Sequence, residues 1–154
     1  MWTDPKTIAQ WLQRFKEVQT ELDEIEIPEP LTVAPGEILE STHELNRAFL
    51  ESNRAFKELG AVKDKCRRLA AIAERKYKQK KADAILEAGR DRDRFPSAEL
   101  RKAYGEIRAK KYLKLWQAAS VLSGSIHDER SRLFQYREDL EQIGHNVRQE
   151  IGMK

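Results

Sequence analysis

Lysine and arginine crowd the middle of this chain, with aromatic rings set among them. The run ERKYKQKK supplies Arg75, Lys76, Lys78, Lys80 and Lys81 around Tyr77. GRDRDRFPS follows with Arg90, Arg92, Arg94 and Phe95. Beyond it come Arg101, Lys102, Tyr104, Arg108, Lys110, Lys111, Tyr112 and Lys114. Cationic side chains neutralise phosphates and release condensed counterions, and aromatic faces stack on unpaired bases whatever their identity. The pattern therefore suits a polyanion: single-stranded nucleic acid, or duplex bound without sequence preference. Two other readings use the same residues. The basic face can pair with an acidic protein surface, or it can simply be solvated, with Tyr77 and Tyr104 packing on an apolar seam. A membrane surface fits less well, because the segment lacks a strongly apolar insertion face.

The charge is sharply divided along the chain. Residues 63–114 carry 18 basic and 8 acidic side chains, a net of +10. Residues 1–62 carry 6 and 12, a net of −6, and residues 115–154 carry 5 and 6, a net of −1. The formal total of +3 conceals this polarity, which is an argument about partners rather than fold.

No other constellation competes. His43, His127 and His145 have no second histidine, cysteine or paired acid at metal-ligand spacing, and STHEL at 41–45 lacks the second histidine of a zinc helix. Cys66 is the only cysteine and falls on an apolar seam beside Val62 and Leu69, as a small buried hydrophobe does. The chain shows no phosphate-binding glycine loop and no serine elbow. Neither an enzyme nor a bound cofactor or metal is expected.

The elements that must position the cations are helices. A chain of 154 residues with 36% charged residues, 40% hydrophobic residues and a mean hydropathy of −0.76 fits one domain of long helices. One thiol gives no disulfide framework and fits a reducing cytosol. The opening MWTDPKTIAQWLQRF has no basic stretch followed by an apolar one, so no secretory signal is expected, and no run is long and apolar enough to span a membrane.

The fold expected is all-α: an N-terminal helical arm over 1–26, a proline-rich linker over 27–36, and a long antiparallel helical hairpin over 37–154. Thr3, Asp4 and Pro5 read as the start of the first helix. Its seam is Ile8, Trp11, Phe15, Val18, Leu22 and Ile25. IPEPLTVAPG at 27–36 forbids continuous helix. The second helix is expected from about Glu37 to Leu86 or Ala88, with Gly60 as a possible bend and Gly89 as a cap. Its seam is Leu45, Phe49, Ser52, Phe56, Leu59, Val62, Cys66, Leu69, Ala73 and Tyr77. Residues 89–97 form a turn, and Ser97 caps a third helix from Ala98 to Val147 or beyond. Its seam is read as Leu100, Tyr104, Ile107, Leu115, Ala119, Leu122, Ile126, Leu133, Leu140, Ile143 and Val147, with a kink or break at 123–125. Folding back at 89–97 gathers residues 63–114 into one basic tip. LDEIEIPEPL at 22–31 alternates acid and apolar residues, either as a solvated linker or as a docking segment for a basic surface.

Order and character over about residues 70–143 resemble the phage recombination mediator family (UvsY-like). A basic helix enters AGRDRDRF at 88–95, an amphipathic helix carries KYLKLWQ at 111–117, Ser123-Gly124 and Ser131-Arg132 follow, and RLFQYREDLEQI at 132–143 closes the pattern. The resemblance covers about half of the chain and excludes the first 36 residues. It implies a cytoplasmic, phage-encoded protein that binds single-stranded DNA, assembles as a homo-oligomer and helps a recombinase displace single-strand-binding protein. It also implies DNA contacts at Arg75, Lys76, Lys78, Lys80 and Lys81, and an oligomer built by the C-terminal helices. The alternative is a helical interaction module, such as a phage assembly chaperone, inhibitor or adaptor, whose basic tip docks an acidic protein.

Overall fold

The computed structural model describes residues 5–29 and 38–152, with side chains from 43 onward in the second segment apart from Val147, Glu150 and Ile151. Three helices and no strand occur among the described residues: α1 (Ile8–Asp23), α2 (Ile38–Arg90) and α3 (Ala98–Gly152). The expected all-α fold is what forms, with α2 and α3 packed against each other. Thr3, Asp4 and residues 30–36 of the proline segment lie outside the described residues.

The chain divides into two compact units. The first comprises Met1–Gln19 and Asp64–Ser123, the second Thr20–Lys63 and Gly124–Lys154. By sequence the first holds 20 basic and 10 acidic residues, a net of +10, and the second holds 9 and 16, a net of −7.

The start of α1 differs from expectation. Pro5 precedes the helix, and the cap is Thr7, whose Oγ1 accepts from the Gln10 amide at 3.2 Å. Gln10 Oε1 in turn accepts from the amides of Lys6 and Thr7 at 2.8 and 3.3 Å. This reciprocal box satisfies amides that a helix start leaves unpaired. Trp11 is fully buried and its Nε1 donates to the Pro5 carbonyl at 2.7 Å. Around it pack Ile72, Ala73 and Leu115, with Phe15, Tyr112 and Trp116 at the margin.

Ile72 is buried against α1, and Phe49 and Phe56, expected on the seam, are half-buried; the buried run along α2 is Leu45, Ala48, Ser52, Ala55, Leu59, Val62, Cys66, Leu69 and Ala73. Alternating steps of 3 and 4 over this run are a heptad seam. Ser52 is the one polar member, and its hydroxyl donates to the Phe49 carbonyl at 3.1 Å. In the second unit Leu45 and Ala48 pack with Leu140, flanked by Phe49, Tyr136 and Ile143. After Ala73 the seam slips: the next heptad position is the exposed Lys80, while burial resumes at Ala84 and Ala88. Such an insertion locally unwinds a coiled coil.

On α3 the expected seam needs correction at its start. Leu100 and Ile107 are 49% and 71% exposed, whereas Gly105 and Ala109 are buried. The reason is close approach. A Cβ on Gly105 would meet Ile85 Cγ1 at 2.8 Å and the Lys81 carbonyl at 3.0 Å. Small residues therefore face α2 here, and larger ones turn outward. Leu115, Ala119, Ile126, Leu133 and Leu140 are buried as expected.

Helix α3 runs through 123–125 without a break, and α2 runs through Gly60. Gly60 is occupied rather than hinged, since a Cβ there would meet the Arg130 guanidinium at 3.0 Å. Gly124, by contrast, has nothing within 4 Å of its Cβ position. G124A is thus expected to stabilise the protein by about 1 kcal/mol through helix propensity. G105V is expected to cost about 3 kcal/mol, because backbone and branched carbon cannot both yield. Paired thermal melts check both signs.

Candidate nucleic-acid interface

The basic residues are placed by the end of α2, the turn and the start of α3, all in the first unit. Helix α2 stops at Arg90, with the Asp91 amide donating to the Ala88 carbonyl at 3.2 Å. In the turn the Asp91 carboxylate accepts from the Arg94 amide at 3.3 Å and the Asp91 carbonyl accepts from the Phe95 amide at 3.0 Å. This Asx-type closure explains the aspartate among arginines. Ser97 caps α3 as expected, its Oγ accepting from the Leu100 amide at 3.2 Å.

The structure sorts the fifteen sequence-derived candidates into two groups. Arg75, Lys80, Arg90, Arg92, Lys102, Lys110 and Lys111 are exposed, and Lys76 is half-buried; none of these eight side chains has an ion pair or hydrogen bond among the described residues. The rest are engaged. Lys78 pairs with Glu74 at 2.9 Å, and Lys81 pairs with Glu106 at 3.6 Å while lying 5.7 Å from the Tyr77 ring. Arg101 donates to the Phe95 carbonyl at 3.1 Å. Arg94 and Arg108 lie over Phe95 and Tyr104, at 5.4 and 5.9 Å.

The aromatic candidates are half-buried and occupied by one another. Tyr77 meets Trp116 at 5.9 Å, and Phe95 meets Tyr104 at 4.7 Å. They brace the tip and leave partial faces to solvent, so they do not form a row of open stacking platforms. Tyr112 is likewise used, edge-on to Trp11 at 5.7 Å. Sequence reasoning missed Trp116 as the ring that holds Tyr77.

The acidic segment after α1 lies along α2 within the second unit. Glu26 pairs with Arg54 at 3.6 Å, and Glu21, Glu24 and Ile25 share a recess with Glu58, Ala61 and Val62. His43, His127 and His145 are exposed; Lys63 Nζ donates to His127 Nδ1 at 2.8 Å. Cys66 is buried. Among the described residues, no group of three or more histidines, cysteines or carboxylates could hold a metal. None of their helices is long and apolar enough to cross a membrane.

No family model, curated protein or solved structure matches the chain.

Proposed function

We propose that this protein is a non-enzymatic accessory factor that binds single-stranded DNA through the basic tip. One observation carries the reading: eight of the candidate cations have neither an ion pair nor a side-chain hydrogen bond among the described residues, within a unit of net charge +10. Like charge at that density destabilises a fold, and a polyanion relieves it. The preference for a single strand over duplex rests on the order of motifs rather than on the rings, whose faces are largely taken by one another and by Lys81, Arg94 and Arg108. The order of motifs over 70–143 extends the proposal to a homo-oligomeric mediator that loads a recombinase in place of single-strand-binding protein, in the cytoplasm of a phage host.

Fluorescence anisotropy with labelled single-stranded DNA tests this. With about six phosphates neutralised per protomer, affinity is expected to fall on the order of 100-fold between about 50 and 200 mM salt. Unlabelled duplex is expected to compete poorly. Absence of binding at low salt, or binding indifferent to salt, sinks the reading.

A second reading is favoured by the exposure of Leu100 and Ile107 inside the basic region, which suits a protein contact. If DNA is not bound, the tip serves as a dock for an acidic protein surface. Pull-down of such a partner, lost on charge reversal, then takes the place of DNA retention.

A further inference from the structure

Within the first unit, α3 carries an apolar row in the open. Leu100, Ile107, Lys114 and Val121 recur at seven-residue intervals, which places them on one helix face. Ile107 and Val121 are each 71% exposed. Apolar residues at heptad spacing with a single lysine among them are the pattern of a helix that packs on another helix. Exposed rows of this kind mark interaction surfaces.

The second unit presents a counterpart. Phe134 is 52% exposed on α3, with Glu138 and Glu141, both exposed, four and seven residues further on. The cations of that stretch are engaged elsewhere. Arg130 and Arg137 lie over the Phe56 ring at 4.1 and 5.8 Å, and Arg130 donates to the Phe56 carbonyl at 3.3 Å. Arg132 pairs with Glu129. What the outer face presents is one aromatic ring, Phe134, beside two carboxylates.

We infer that the Leu100–Ile107–Lys114–Val121 row of one protomer docks on the Phe134–Glu138–Glu141 face of a second copy. The occupant is this chain because it carries both halves of the complementarity, +10 on the unit bearing the row and −7 on the unit bearing the face. Each copy offers both surfaces, so the contact either forms twice across a two-fold axis or repeats head to tail into a ring or a chain. It rests on the homo-oligomeric part of the proposed function, to which it gives surfaces, and is independent of the DNA-binding part, because it forms without DNA.

Sedimentation velocity of the full chain, without nucleic acid, tests it. The wild type is expected to self-associate at micromolar concentration in low salt and to dissociate as salt screens the charges. I107E/K114E and E138K/E141K are each expected to sediment as protomers under conditions where the wild type is associated. An equimolar mixture of the two regains association, because each variant keeps one intact surface. A protomeric wild type overturns the inference. So does association that survives in both variants, a mixture that stays protomeric, or association that needs added DNA. All four positions are exposed, and circular dichroism checks that helix content holds; if a double variant loses it, K114E and E141K alone make the same comparison. E138K/E141K lies outside the basic unit and is expected to retain single-stranded DNA, so failure of self-association and failure of DNA binding are read separately.

Discussion

A chain carrying R75E, K80E and R92E together is expected to lose on the order of 100-fold in affinity for single-stranded DNA while keeping its melting temperature. These three side chains are exposed and have no ion pair or hydrogen bond among the described residues, so no packing is lost with them. Their reversal also relieves repulsion in a unit of net charge +10, so the variant should melt no lower than the wild type. The choice of residues matters. Lys81 is tied to Glu106 at 3.6 Å and sits by the Tyr77 ring, so K81E would mix a folding effect with a binding effect. Each lost phosphate contact on a single strand lowers the slope of log affinity against log salt by about 0.7, so the triple variant should lose about 2 from that slope. Wild-type affinity and slope in the variant would remove these residues from the interface.

What the sequence made legible here is what periodicity and charge determine locally. On α2, Leu45, Ser52, Leu59, Val62, Cys66, Leu69 and Ala73 were readable because steps of 3 and 4 leave one face for burial, and Ser52 fits because its hydroxyl is satisfied inside its own helix, but Phe49 and Phe56 are half-buried where Ala48 and Ala55 take the seam. The α3 seam was misread at Leu100 and Ile107 because hydrophobicity marks large residues, whereas the packing there uses Gly105 and Ala109. Gly105 within a helical stretch was the available signal: glycine is costly in a helix unless backbone approaches it. The T-x-x-Q box at Thr7 was likewise present, but Pro5 drew the helix start toward the N-terminus. For the candidate site, the exposure of most of the cations follows from their type. The occupation of Tyr77 by Trp116, and of Phe95 by Tyr104, is set by contacts distant in sequence or by the path of a turn, which composition does not encode.

W11A is expected to lower stability by about 3–5 kcal/mol, roughly 10 °C in melting temperature for a chain of this size. Trp11 is fully buried, and its ring joins α1 to Ile72 and Ala73 of α2 and to Leu115 of α3. Truncation leaves a large cavity, deprives Tyr112 of its edge-on partner at 5.7 Å, and leaves the Pro5 carbonyl without the donor now 2.7 Å away. W11F separates these contributions: it keeps an aromatic ring but loses the hydrogen bond, and should fall between wild type and W11A. Hydrogen exchange gives the local counterpart, with amides of α1 up to Gln19 losing protection in W11A before those of α2. An unchanged melt would mean that α1 does not dock in solution, and the first unit would then consist of residues 64–123 alone. Because Trp11 lies in the core beneath the basic surface, W11A held well below its melting temperature should still bind single-stranded DNA. That pairing with R75E/K80E/R92E, one variant losing stability but not binding and the other binding but not stability, tests whether the tip acts through its charge rather than through the integrity of the fold.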